Sequence, residues 1–180
     1  TLDIRPLEHL RLPDCLSGVA QWREAARQSD RRTITNDIEA ISVWASNYAG
    51  GTRRSYLAGL EKLLLWCVFA RGHSLSELKA DEIALYVGFL VKIHPVDEWV
   101  SLGLRRRDEP DWKPFAKDSL LPNSIGLLLR QATIYFKWAS GYGLANQGQL
   151  IMAAGELITP EGLPVMPQTT RMFDERISIR

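Results

Sequence analysis

The sequence offers little sulfur chemistry. It holds two cysteines in 180 residues, Cys15 and Cys67, far apart and in no CxxC. The three histidines, His9, His73 and His94, do not accompany them at ligand spacing, so no metal site, cofactor or disulfide framework is expected. Long apolar runs are lacking too. Leu63 to Ala70 falls far short of the ~20 residues a bilayer demands. The start, Thr1-Leu-Asp-Ile-Arg5, lacks the charged and then apolar pattern of a secretory signal. There is no internal repeat or low-complexity tract, and 22 basic against 21 acidic residues leave a net charge of +1. The expected location is therefore a reducing cytoplasm, with no membrane as partner.

What is present is an ordinary globular balance, 46% hydrophobic and 24% charged, enough to bury a helical core. The charge is unevenly spread. Residues 51–72 and 104–138 each carry a net +3, while residues 73–103 between them carry −3. Periodicity predicts an all-α, compact bundle of about four to five helices with extended termini. Residues 1–33 read as an arm, in which 14–29 has only a rough apolar stripe for a short helix. Asn36–Tyr48 is a helix capped by Thr35 or Asn36, with Glu39 at capping-box spacing and Gly50-Gly51 as its stop. Thr52 caps a second helix that runs to Arg71 and Gly72, with Tyr56, Leu60, Leu63, Leu64 and Cys67 on its apolar stripe. Ser74-x-x-Glu77 marks a capped turn, and Ala80–Ile93 a third helix. Residues 95–122, with four prolines, Trp99, Trp112 and Arg105-Arg106-Arg107, read as an inserted loop. A fourth helix, Ser124–Ser140, follows an Asn123/Ser124 cap, and residues 148–180 read as a linker or tail.

The second and fourth helices share one design. Each has a hydroxyl cap, an apolar face and a second face of small and basic residues. Small residues let a helix approach a duplex, Arg and Lys meet phosphates, and a helix start offers free N–H groups to an anion. Any one of Arg54, Lys62, Arg130 and Lys137 is ordinarily a solvated helix residue; two basic helices in a neutral chain argue for a shared anionic partner. These four are the backbone-contact candidates. Thr52, Arg53, Ser55, Asn123 and Ser124 sit at helix starts, within reach of phosphates or base edges. The run Arg105–Arg107 is either a phosphate clamp or, given Asp108, Glu109 and Asp111, a solvated mixed-charge loop. Trp44, Trp66 and Trp138 lie in or beside apolar stripes, where core packing explains them better than base stacking.

Thr52-x-x-x-Tyr56-x-x-x-Leu60, with Leu64 and Trp66 after it, resembles the second helix of the SAM-like core-binding domain of tyrosine recombinases, the phage-integrase family. Asp81-Glu82-Ile83-Ala84-Leu85-Tyr86-Val87 is similar to that family's next helix. Ser124-Ile125, Leu128, Ala132, Phe136 and Trp138, followed by Gly143-Leu144-x-Asn146, are similar to its last helix and exit turn. The resemblance spans about residues 34–147. Two features depart from it: the family has only a short loop where residues 95–122 stand here, and Asn146-Gln147 replaces its Asn-Pro. It implies a DNA-binding module that grips one side of a recombination half-site in DNA integration or recombination. The implied partners are double-stranded DNA and other recombinase protomers on it, with no small-molecule substrate and no cofactor. The family's catalytic Arg, Lys, His-x-x-Arg and nucleophilic Tyr belong to a separate domain. Here the three histidines are followed three residues on by Leu12, Ser76 and Asp97, so no strand cleavage by this chain is expected.

Two other readings compete. One is a helical protein–protein module without a DNA role, with Leu65, Phe69, Trp99 and Trp112 as interface anchors. The other is a free-standing helix-turn-helix regulator. The His73–Ala80 connection is long for that motif's turn, and the helix after it is acidic.

Overall fold

The computed structural model describes residues 2–158, and these form an all-α bundle. The elements are α1 (Asp14–Ser17), α2 (Val19–Gln28), α3 (Asp37–Ala45), α4 (Gly50–Leu65), α5 (Glu82–Val91), α6 (Val96–Trp99), α7 (Pro122–Gly141) and α8 (Gln147–Glu156). Among the described residues no helix is long and apolar enough to cross a membrane.

The N-terminal arm is packed rather than extended. Leu7–His9 forms a 3-10 turn, Leu7 and Leu10 are buried, and the Leu7 N–H donates to Glu61 at 3.1 Å. The single short helix expected over 14–29 is instead two. Gly18 divides them with φ +79°, a left-handed conformation that glycine adopts at little cost. The Asp37 carboxyl lies so close that a Cβ at residue 18 would overlap it.

Helix α3 starts as its sequence dictates, with the Asn36 side chain accepting from the Glu39 N–H at 2.9 Å. It ends before Gly50-Gly51, however. The Ser46 hydroxyl donates to the Val43 carbonyl at 2.6 Å and the Asn47 amide to that of Trp44 at 3.0 Å, satisfying carbonyls the helix leaves open. The two glycines open α4, whose N-cap is Ala49, so Thr52 lies within the first turn and is not the cap. After Leu65 the helix widens into a π-helical turn, Trp66–Arg71, and stops at Gly72 with φ +75°. The turn at Leu75–Glu77 has the expected capping box between Ser74 and Glu77.

The segment 95–122 is not a solvated loop. Trp99, Val100, Trp112 and Phe115 are buried, and Phe89 of α5 meets Trp99 at 5.1 Å and Phe115 at 5.9 Å. An isolated bridge pairs Val100 with Phe115, and the Leu120 N–H donates to the Leu90 carbonyl at 3.0 Å. Burying four aromatic or aliphatic side chains outweighs the entropy that would otherwise keep so long a connection loose.

Helix α7 begins two residues earlier than its sequence pattern suggests. Leu121 is its N-cap and Pro122 its first residue, a position where the missing N–H has no cost. Asn123 and Ser124 therefore sit in the first turn and do not cap. The reading of 148–180 as a tail also needs correction, because α8 continues the bundle. It packs along α7 and buries Leu150 and Ala154. Pro160, Pro164 and Pro167 lie outside the described residues.

The core is aromatic. Trp44 stacks on Tyr56 at 5.0 Å with an interplanar angle of 5°, and meets Tyr135 edge-on at 5.4 Å, which joins α3, α4 and α7. Trp66 packs on Tyr86 at 5.0 Å, and half-buried Trp138 on Trp22 at 6.3 Å. The Tyr86 and Tyr135 phenols are pushed up by burial. Leu65, Trp99 and Trp112 are buried within the chain, so they are core residues and not interface anchors; Phe69 is half-buried.

Candidate nucleic-acid interface

The best-placed candidates lie in the first two turns of α4. Thr52, Arg53, Arg54 and Ser55 are all exposed there. Neither arginine has a carboxylate partner among the described residues. The helix start has no side-chain cap, so the N–H groups of Gly50, Gly51 and Thr52 face outwards beside two cations. Gly50 and Gly51 carry no side chain to keep a ligand away.

This segment is joined to α7 by a polar seam. The Gln131 amide donates to the Ser55 hydroxyl at 2.7 Å. Gly59, one turn further along α4, lies against the same side chain, and a Cβ there would overlap the Gln131 amide oxygen and lie 3.4 Å from Leu128. The seam brings exposed Arg130, the neighbour of Gln131, to the same helix pair, with exposed Lys137 two turns further along α7. Asn123 and Ser124 are exposed at the start of α7, about 12 Å along the axis from Gln131. No hydrogen bond among the described residues links them to Thr52–Arg54. Gln131 and Gly59 were not among the candidates drawn from the sequence. A glycine in a helix interior, destabilising by roughly 1 kcal/mol relative to alanine, was the available sign of a close helix approach.

Lys62 stands apart from this group. Its ammonium lies 5.7 Å from the centre of the Phe115 ring, and burial lowers its pKa. The aromatic side chains packed into segment 95–122 have drawn it into an internal contact.

Two arginines of the run, Arg105 and Arg107, are likewise committed to partners within the chain, whereas exposed Arg106 makes only longer pairs with its neighbours. Arg105 meets Asp111 at 2.5 Å, and Arg106 lies 3.4 Å from Asp108 and 3.5 Å from Glu109. Arg107 holds Glu8 of the arm at 2.6 Å and also Glu61 of α4, whose side chain is buried. Hydrogen bonds from Arg107 pull the Glu8 carboxyl down, and the two carboxylates push the guanidinium up. One residue of the inserted segment thus fastens the arm to α4. Arg107→Ala leaves buried Glu61 with the Leu7 N–H alone. A loss of about 1–2 kcal/mol is expected, small for a buried carboxylate because the guanidinium is half-exposed. A urea midpoint measures it, and amide exchange should quicken first over residues 7–10.

A second ionic cluster lies away from this surface. Buried Glu82 accepts from Arg71 and faces a ring nitrogen of His73, both at 2.7 Å. Burial pushes its carboxyl up, but the bonds from His73 and Arg71 outweigh that and hold it below the ordinary range. Cys67 is fully buried with its thiol pushed up by burial, whereas Cys15 is exposed. Among the described residues no three His, Cys, Asp or Glu side chains are grouped to hold a metal.

The chain matches no family model, and no curated protein or solved structure matches it.

Proposed function

We propose that this chain is a DNA-binding module that grips the phosphate backbone through the first two turns of α4 and the adjoining face of α7, as a core-binding domain of a tyrosine recombinase would. The observation that carries the reading is the uncapped, glycine-opened start of α4, with exposed Arg53 and Arg54 lacking any carboxylate partner among the described residues. Outward N–H groups, two hydroxyls and two cations on these two turns form an anion-binding surface, and a duplex supplies a regular row of anions. The contact set is Thr52, Arg53, Arg54 and Ser55 on α4, with Asn123, Ser124, Arg130 and Lys137 on α7. Lys62 is left out because it packs on Phe115. The sequence resemblance supplies the recombination context. Such contacts position the protein and carry little base information, so binding is expected to be sequence-tolerant.

The test is the salt dependence of duplex affinity by fluorescence anisotropy. The expected result is a dissociation constant of roughly 1–100 µM at moderate salt and a log–log slope of about −2 to −4, from a few phosphates neutralised. Absence of binding at low salt, or binding indifferent to salt, would sink the proposal.

A further inference from the structure

The exposed tip of the inserted segment carries the clearest feature that the proposed function leaves unused. Leu104 is 97% exposed and Leu102 81%, and Gly103 between them turns the chain with φ +77°. Among the described residues these two leucines, either side of Gly103, are the most exposed of the large apolar side chains, ahead of Leu121 and Met152. Beside the tip lies a mostly apolar cleft of about 420 Å³, lined by Val96, Val100 and Leu102 and rimmed by Asp97, Asp111 and Lys113. An apolar cavity of roughly 150 Å³ takes up a benzene molecule, so this cleft has room for an aliphatic side chain and part of its backbone.

The rim states the chemistry of the occupant. Asp97 is exposed on the rim and has no ion-pair partner among the described residues, and exposed Glu98 follows it in the sequence; Lys113, the cation on the rim, is half-buried and lies on the other segment of the cleft. Asp111 is already engaged by Arg105. A fitting occupant therefore has an apolar side chain with a cation close by. The same loop presents that combination: Leu104 is followed by Arg105 and by Arg106, whose side chain is 79% exposed and touches its two carboxylates only at 3.4 and 3.5 Å. Knob and cleft lie on one loop, and Leu104 is too exposed to be seated in its own cleft. A second copy of the chain can seat it, and a two-fold arrangement makes the contact twice, each copy giving and receiving a leucine.

We propose that residues 96–113 form a self-association surface, in which Leu104 of one copy docks in the Val96–Val100–Leu102 cleft of another and Arg106 meets Asp97 across the interface. The proposal does not depend on the DNA reading and involves none of the residues assigned to it.

Sedimentation velocity of the full chain over a concentration series tests it. The expected result is a monomer–dimer equilibrium in which Leu104→Asp raises the dissociation constant at least ~10-fold. Leu104 is exposed, so circular dichroism and thermal midpoint should be unchanged. Asp97→Arg and Arg106→Asp should each weaken the dimer, and the double variant should recover it, since swapped charges restore the pair. A chain that stays monomeric at every concentration overturns the proposal and leaves the cleft to a different protein. A dimer indifferent to Leu104→Asp, or a charge swap that fails to rescue, overturns it as well.

Discussion

Asp37→Ala is expected to destabilise the chain by about 2–4 kcal/mol, more than any surface substitution here. Asp37 is fully buried at the start of α3 and accepts three hydrogen bonds. The Trp22 indole reaches it at 2.9 Å, the Ser76 N–H at 3.1 Å, and the Ser76 hydroxyl also bonds to it. It therefore ties α2, α3 and the turn before α5 to one side chain, and it fits only because Gly18 has no Cβ. Removing it strands a buried indole N–H and opens a cavity between three elements. Burial pushes the Asp37 carboxyl up to about 6, against the pull of the bonds from Ser76 and Trp22. The unfolded value lies near 3.8, so the folded state holds the proton more tightly. Its contribution is then full below about pH 4 and fades as pH rises through about 6, a change worth about 3 kcal/mol. Glu8 and Glu82, whose carboxyls are lowered, act in the opposite sense and lose stability in acid. Comparing wild type with Asp37→Asn cancels them, since both proteins share them. The difference in denaturant-derived stability should move in favour of Asp37→Asn by about 3 kcal/mol between about pH 3 and about pH 7. A pH-independent difference would show that the carboxyl is not raised.

The double reversal Arg53→Glu/Arg54→Glu is expected to weaken duplex binding by about 100-fold at low salt and to make the salt slope shallower by about 2. Each reversal removes one neutralised phosphate and adds a repelled charge beside the helix start. Both side chains are exposed and unpaired among the described residues, so the thermal midpoint should hardly move. Lys62→Ala should do the reverse. It removes a packed contact with Phe115, costing about 1 kcal/mol, and leaves DNA affinity within about 3-fold. The two variants together separate a phosphate contact from a cation serving the fold. Equal losses of affinity from both would place the binding face elsewhere.

Much of the fold was legible because it rests on local rules. The stripe Tyr56, Leu60, Leu63, Leu64 and Cys67 faces the core, Asn36 caps α3, Ser74 and Glu77 form their box, and Gly72 ends its helix. Glycine is where local rules are ambiguous. Gly50-Gly51 reads equally well as a stop or a start, and only the bonds from Ser46 and Asn47 to the end of α3 decide between them. Gly18 gave no local sign of splitting a helix, because its partner Asp37 lies 19 residues on. The segment 95–122 has no period, so its burial of Trp99, Trp112 and Phe115 depends on α5 and could not be read locally.

The candidate site was legible to a similar depth. Exposed cations at the start of α4 follow from helical spacing alone. The removal of Lys62 to Phe115, 53 residues away, and the capture of Arg107 by Glu8 and Glu61 are tertiary events. The Ser55–Gln131 seam is another. Gln131 lies on the buried side of α7 and its partner Ser55 is 76 residues away, so no local rule pairs them.

The most direct test of the DNA reading is residue-resolved. Amide chemical shifts of the chain would be followed by NMR as an unlabelled duplex is added at low salt. The account predicts the largest changes at Gly50–Ser55 and along the exposed face of α7 from Asn123 to Lys137, with amides near Lys62 and Phe115 unmoved. Changes centred on another surface, or none at saturating duplex, would contradict it.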